Sequence, residues 1–197
     1  MFFILFPYTL SKKIELRKIN LVSEILITIN GTGDQQILAD IEKYNGQYCI
    51  YSNIPDEIFI NDERQNYTGK KVFNLEEAIN NVTMKFNSDV TTSRAMFCGL
   101  TNITFINLSK FDATHLIVMS AMFYFSTSLK SIDFSNFVTS SATNMKNLFY
   151  NCNLLLSLDL KSFDASNVVN MENMFFDCSS LKNLDLSNFD THSVTSF

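Results

Sequence analysis

A repeat of 26 residues constrains this chain more than any other feature. Phe111, Phe137, Phe163 and Phe189 recur at that interval. The complete copies read FDATHLIVMSAMFYFSTSLKSIDFSN, FVTSSATNMKNLFYNCNLLLSLDLKS and FDASNVVNMENMFFDCSSLKNLDLSN, and a fourth begins FDTHSVTSF. A weaker copy precedes them: Met96-Phe97 lie one period before Met122-Phe123, and Ile103, Ile106 and Leu108 one period before Leu129, Ile132 and Phe134. The array therefore starts near Val90. A fixed period of this length marks an architecture in which each unit buries its apolar face only against its neighbours. Such arrays offer extended surfaces, so the period directs function towards binding and away from a catalytic pocket, without naming the ligand.

Each repeat has two halves. Leu155, Leu158, Leu160 and Phe163, then Leu181, Leu184, Leu186 and Phe189, follow L-x-x-L-x-L-x-x-F, in which apolar residues two apart suit a short strand with one buried face. Met145, Leu148, Phe149 and Cys152, then Met171, Met174, Phe175 and Cys178, stand at i, i+3, i+4 and i+7, which predicts two turns of amphipathic helix. Thr143 or Asn144, and Asn170, stand where the helix N-cap is wanted. Asp112, Asp164 and Asp190 follow the repeat Phe and precede Thr, Ser or His two residues on, as Asx-turn residues do. The expected fold is an α/β solenoid, a right-handed stack of short parallel strands and short helices, since parallel crossovers are right-handed. Its core is expected to contain Met122, Phe123, Phe149, Leu158, Met174, Phe175 and Leu184. The array reaches Phe197 inside a helix half with no polar cap, which predicts further repeats in a longer protein.

Ahead of the array, Glu24–Asn30 alternates and runs into Gly31-Thr32-Gly33, a strand and a turn. Asp34–Tyr44 reads as a short helix, Tyr48–Tyr51 and Glu57–Asn61 as strands, Asn61–Arg64 as a turn, and Lys71–Leu75 and Asn81–Phe86 as strands again. The expected organisation is an apolar and charged segment over residues 1–19, a β-rich N-terminal cap domain over 20–88, and the repeats over 89–197. Met1–Leu10 is apolar but too short to span a bilayer, and it lacks a preceding basic region and a small-residue cleavage site. It reads either as a remnant of a signal peptide or as a first strand, and no transmembrane segment is expected elsewhere. The composition is 46% apolar with 19 Phe, enough to build a core. A net charge of −5 with interspersed signs leaves no basic stripe, so nucleic acid is not an expected partner.

The segments LKNLDLSNFDTHSVTSF and FDASNVVNMENMFFDCSSLKNLDLSNFD resemble the repeats of BspA-type leucine-rich-repeat surface proteins, which read roughly SLTSLDLSNFDTSNVTNMSSMFSGCS. The likeness covers about residues 90–197, where Met-Phe, Cys, Leu-Asp-Leu and Phe-Asp recur in order. ITINGTG, IFIND and NVTMKF are similar, more loosely, to the region preceding such repeats in proteins of single-celled eukaryotes. The resemblance implies a leucine-rich-repeat-like stack in a cell-surface or secreted protein used in adhesion or in binding a protein or cell-surface ligand, without enzymatic activity. Ser126 in place of Cys, Val138 in place of Asp and Leu148 in place of Met are departures confined to the framework.

Candidate chemistry is sparse. Asp133, Asp159 and Asp185 recur at one strand position, about 4.8 Å apart if strands stack. They form either a carboxylate ladder for a cation or basic partner, or a solvated row; no calcium-loop motif accompanies them, and no metal or cofactor is expected. Cys152 and Cys178 are equivalent to each other and suit either a staple in an oxidising compartment or a buried thiol ladder, with Ser126 at the same position. Cys49 and Cys98 have no spacing relation to them, and no zinc pattern exists. His115 and His192 occupy different repeat positions, with no nucleophile motif beside them, and read as solvated turn histidines. Five sequons, at Asn30, Asn66, Asn81, Asn102 and Asn107, permit N-glycosylation in a secreted protein, although an Asn-, Ser- and Thr-rich chain acquires sequons by chance. The candidate binding face is the strand face: Ser131, Asp133 and Ser135, then Ser157, Asp159 and Lys161, then Asn183, Asp185 and Ser187. The alternative to a surface binding module is an intracellular scaffold or structural spacer.

Overall fold

A computed structural model describes residues 23–39, 54–66 and 72–197. The segment 1–19, Tyr48–Tyr51, Cys49 and the end of Asp34–Tyr44 lie outside the described residues. The strands, in chain order, are β1 (Ser23–Asn30), β2 (Gly33–Gln36), β3 (Glu57–Ile60), β4 (Glu63–Arg64), β5 (Val72–Leu75), β6 (Ile79–Phe86), β7 (Ile103–Lys110), β8 (Ser131–Asp133), β9 (Ser157–Leu158) and β10 (Asn183–Leu184). Six of them form one sheet, ordered β4-β3-β6-β1-β7-β8. Within it only β7 and β8 pair in parallel; β1 with β6, β1 with β7, β3 with β4 and β3 with β6 are antiparallel. β2 and β5 form a separate antiparallel pair, and β9 and β10 a short parallel one.

The alternation read from SEILITIN places Ile25, Ile27 and Ile29 in the core at 0% exposure, as a half-buried strand requires. Gln35 and Gln36 belong to β2, so the short helix expected from Asp34 is absent where the chain is described. The turn expected at Asn61–Arg64 is confined to Asn61 and Asp62, with φ of 49° and 68°. Two left-handed central residues match the twist of a hairpin, and Glu63–Arg64 returns as β4. β7, from the weakest repeat, pairs with β1 on one side and β8 on the other. The repeat region and the N-terminal strands thus share one sheet and one core.

The expected α/β solenoid is overturned. Among the described residues there is no helix, and the structure is a mixed, largely antiparallel β-protein with turn-rich repeats. The cause is local. The M-x-x-M/L-F-x-x-C half carries left-handed residues at two fixed positions, Ala95, Ala121, Asn147 and Asn173 at one, Gly99, Phe125, Asn151 and Asp177 at the other, with φ between 53° and 69°. A left-handed residue every fourth position prevents consecutive i→i−4 bonds. The N–H groups alternate instead. Those of Met122, Tyr124 and Ser126 close turns on the carbonyls of Met119, Ala121 and Phe123. Those of Ala121, Phe123 and Phe125 donate to Lys146, Leu148 and Tyr150 of the next repeat, at 2.9, 3.0 and 2.8 Å. Asn144 and Asn170, expected as helix N-caps, instead bridge in parallel to each other and accept the N–H of Lys146 and Glu172 in Asx turns.

Register between repeats holds at the 26-residue interval. Isolated parallel bridges link Thr92, Val118, Asn144, Asn170 and Ser196. Phe97, Phe123, Phe149 and Phe175 stack with centroids 5.7, 5.3 and 5.6 Å apart, and Phe111, Phe137, Phe163 and Phe189 with 6.1, 5.8 and 6.3 Å. Of the expected core, Met122, Phe123, Phe149, Leu158 and Met174 are buried. Phe175 and Leu184, in the last repeat, are only partly covered.

Candidate functional site

The strand face is built from the residues that alternation leaves outside. Leu158 and Leu160 point inward and are buried, while Ser157, Asp159 and Lys161 are exposed. Ser131 and Ser135 are likewise exposed, as are Asn183, Asp185 and Ser187, whereas Asp133 is half-buried. Ser157 and Asn183 are direct partners in the β9–β10 pair. Asp133, Ser135, Asp159 and Lys161 come together with Ile132, Phe134 and Ser162 around a shallow depression of about 130 Å³. Asn183, Asp185 and Ser187 lie beyond it, in the last repeat.

The carboxylates in this face have a structural task. Asp133 accepts the N–H and hydroxyl of Ser135, Asp159 accepts the N–H of Lys161 at 3.1 Å, and Asp185 accepts the N–H of Ser187 at 2.9 Å. Asn107 does the same for Ser109 in β7. At Asp133, Asp159 and Asp185 these are Asx turns at the end of the strand, whereas the Asn107 bonds lie within β7. The Ser187 bonds hold the Asp185 carboxyl below the ordinary carboxylate range, with Lys161 adding a smaller pull. Among the described residues no group of His, Cys, Asp and Glu is arranged to hold a metal. The chemistry left free on this face is the hydroxyls of Ser131 and Ser157, the amide of Asn183, and the ammonium of Lys161.

The thiols form a ladder of donors. Ser126, Cys152 and Cys178 each donate to a carbonyl of the preceding repeat, those of Phe97, Phe123 and Phe149, at 2.7, 3.1 and 3.0 Å. Cys152 and Cys178 are free. Burial raises both thiol pKa values, that of Cys178 to about 11. Cys98, by contrast, is disulfide-bonded, which no spacing pattern in the sequence signalled. His115 is an exposed turn residue, and His192 pairs with Asp190 at 2.7 Å.

The sequons divide by environment. Asn30, Asn66 and Asn81 are exposed. Asn102 is half-buried, and its Nδ2 donates to Gln35 Oε1 and the Gln36 carbonyl at 3.0 and 3.1 Å. Asn107 is also half-buried and engaged in its Asx turn. A second aromatic row, missed in the sequence, runs outside the core: Tyr124 and Tyr150 lie 5.0 Å apart, and Tyr150 and Phe176 4.7 Å. Its signal is the aromatic that follows the repeated Phe in three successive copies.

Stacked rings, parallel bridges at one interval and an outward polar row define a repeat protein of the β class. The chain belongs to the family described as "Mycoplasma protein of unknown function, DUF285", whose model matches residues 64–159 and again 129–197. No curated protein and no solved structure matches the chain. No helix among the described residues is long and apolar enough to cross a membrane.

Proposed function

We propose that this chain is a non-enzymatic binding module, displayed at a cell surface or secreted, that captures a protein or cell-surface ligand on the face of β8, β9 and β10. The finer likeness to BspA-type leucine-rich-repeat surface proteins belongs to this proposal. The observation that carries it is the set of exposed polar side chains, Ser131, Ser157 and Asn183 on strands whose opposite face is core, with Lys161 in the turn that follows β9. The disulfide at Cys98 supports an oxidising compartment, and membership of a repeat family supports display of a surface over turnover of a substrate.

The test is capture from an extract of biotinylated cell-surface proteins. The captured protein is then titrated against the wild-type chain and the triple variant Ser157→Ala, Lys161→Ala, Asn183→Ala. These positions avoid the aspartates, whose loss would open a turn. The expected result is binding at least about ten-fold weaker with an unchanged melting temperature, since exposed substitutions shift stability by less than about 0.5 kcal/mol. Equal binding would remove the strand face from recognition and leave the repeats as a spacer.

A further inference from the structure

We propose that Asn30 and Asn81 carry N-linked oligosaccharides, and that this carbohydrate borders the strand face while leaving it bare. The proposal rests on the surface or secreted reading above. The distribution of sequons argues against chance. Five of the twelve Asn up to Lys110 begin one, whereas none of the ten Asn after it does, although Ser and Thr are denser there. The structure then sorts the five. Asn30, at the end of β1, and Asn81, within β6, are exposed. The Nδ2 of neither donates to a described residue; Asn81 only accepts, at Oδ1, the Thr28 hydroxyl at 3.3 Å. Asn102 is engaged instead, with Nδ2 donating to both Gln35 Oε1 and the Gln36 carbonyl. Asn107 is half-buried, opposite Leu26 of β1 and Asp133 of β8, and its Oδ1 holds Ser109.

The donor is an oligosaccharide on a polyprenyl diphosphate, delivered by a membrane-bound transferase of the secretory route. The asparagine Nδ2 forms a bond to C1 of the first sugar, the bond from C1 to the diphosphate oxygen breaks, and an amide proton passes to solvent. Transfer precedes folding, so the fold decides which modified chains remain foldable. A glycan on Asn102 would break both of its bonds and leave acceptors unpaired. One on Asn107 would be forced into a half-buried place between β1 and β8. Asn30 and Asn81 give up no bond from Nδ2. Position supplies the consequence. Asn81 pairs with Thr28, Thr28 with Phe105 and Phe105 with Ser131, in one line across β6, β1, β7 and β8. Directly paired residues share a face of the sheet, so Asn81 and Ser131 lie on the same side, three strands or about 14 Å apart. The carbohydrate thus marks the N-terminal border of the strand face.

The test secretes the 197-residue chain from a eukaryotic cell line behind a cleavable leader. The folded product is digested and treated with a peptide N-glycosidase in heavy-oxygen water, and conversion of Asn to Asp is read by mass spectrometry. Conversion is expected at Asn30 and Asn81 in most molecules, and almost none at Asn102 and Asn107. Asn81→Gln is expected to remove that one glycan and leave the melting temperature unchanged. The strand-face triple variant is expected to carry the same glycans as the wild type, so the two surfaces are tested apart. In the source cells, protein labelled by a membrane-impermeant biotin reagent is expected to gain gel mobility after the same enzyme. Unmodified Asn30 and Asn81 in the secreted chain, or labelled native protein of unchanged mobility, would overturn the proposal and leave surface display standing. Occupancy of Asn107 would also overturn it, by putting carbohydrate beside Asp133. Native protein found neither in the medium nor within reach of the reagent would overturn the display reading, and the glycans with it.

Discussion

Asn147 carries two costs at one position. Its φ is 57°, in the left-handed region, and its Oδ1 is buried with no hydrogen-bond partner. An unsatisfied buried acceptor costs about 1–3 kcal/mol, and Gly removes the left-handed penalty. Asn147→Gly is therefore expected to raise stability by about 0.5–1 kcal/mol, and Asn147→Val, β-branched at positive φ, to lower it by more than about 1 kcal/mol. Chemical denaturation of both variants checks the order; a Gly variant less stable than the Val variant would sink the argument. The turn aspartates give a pH prediction. Asp112, Asp164 and Asp190 titrate below their ordinary value of 3.8 because Thr114, Ser166 and His192, two residues on, donate side-chain and backbone bonds to the carboxylate. A depressed folded-state pKa contributes stability above the unfolded value and loses it as pH falls through the folded one. The melting temperature is expected to fall as pH drops below about 4, and Asp112→Asn to flatten that acid slope. An unchanged slope in the variant would show that the turn bonds do not set it.

At the scale of elements, the Ser126–Cys152–Cys178 row works through donation as well as volume. Each group reaches a carbonyl of the preceding repeat. Cys152→Ser, which keeps the donor, is expected to cost less than Cys152→Val, which leaves the Phe123 carbonyl without it. Equal losses in thermal melts would make the position one of packing alone. Leu158 and the stacked Phe149 are core by the same measure: Leu158→Ala is expected to cost about 2–5 kcal/mol and Phe149→Ala about 3–5 kcal/mol, read from denaturant midpoints. Much of this was legible beforehand. The inward set Ile25, Ile27 and Ile29, the outward set Ser157, Asp159 and Lys161, and the Asx roles of Asp112, Asp164 and Asp190 all follow from local pattern. The helix did not, because apolar residues at i, i+3, i+4 and i+7 also fit a run of turns with a left-handed residue every four. The contrary signal was Gly99, Asn147, Asn151, Asn173 and Asp177, residue types that accept positive φ. Ala95, Ala121 and Phe125 at the same positions obscured it.

For the whole molecule, β7 decides cooperativity. Ile106 is fully buried and lies opposite Ile27 of β1 and Ile132 of β8. The N-terminal strands and the repeats therefore lack independent cores, and a single thermal transition with equal calorimetric and van't Hoff enthalpies is expected. Two resolved transitions would show that the sheet does not couple them. The alternation of amide donors has a consequence for how such a chain can change over generations. One residue inserted between Met119 and Ser126 would move each later donor of that repeat onto the wrong parity, turning groups that face the neighbour into groups that close local turns, and the reverse. Neighbouring repeats would lose their ring stacks and bridges in the same stroke. The array has, in effect, a reading frame: a change by a whole unit of 26 residues keeps the parity of its donors, and a change by one residue does not.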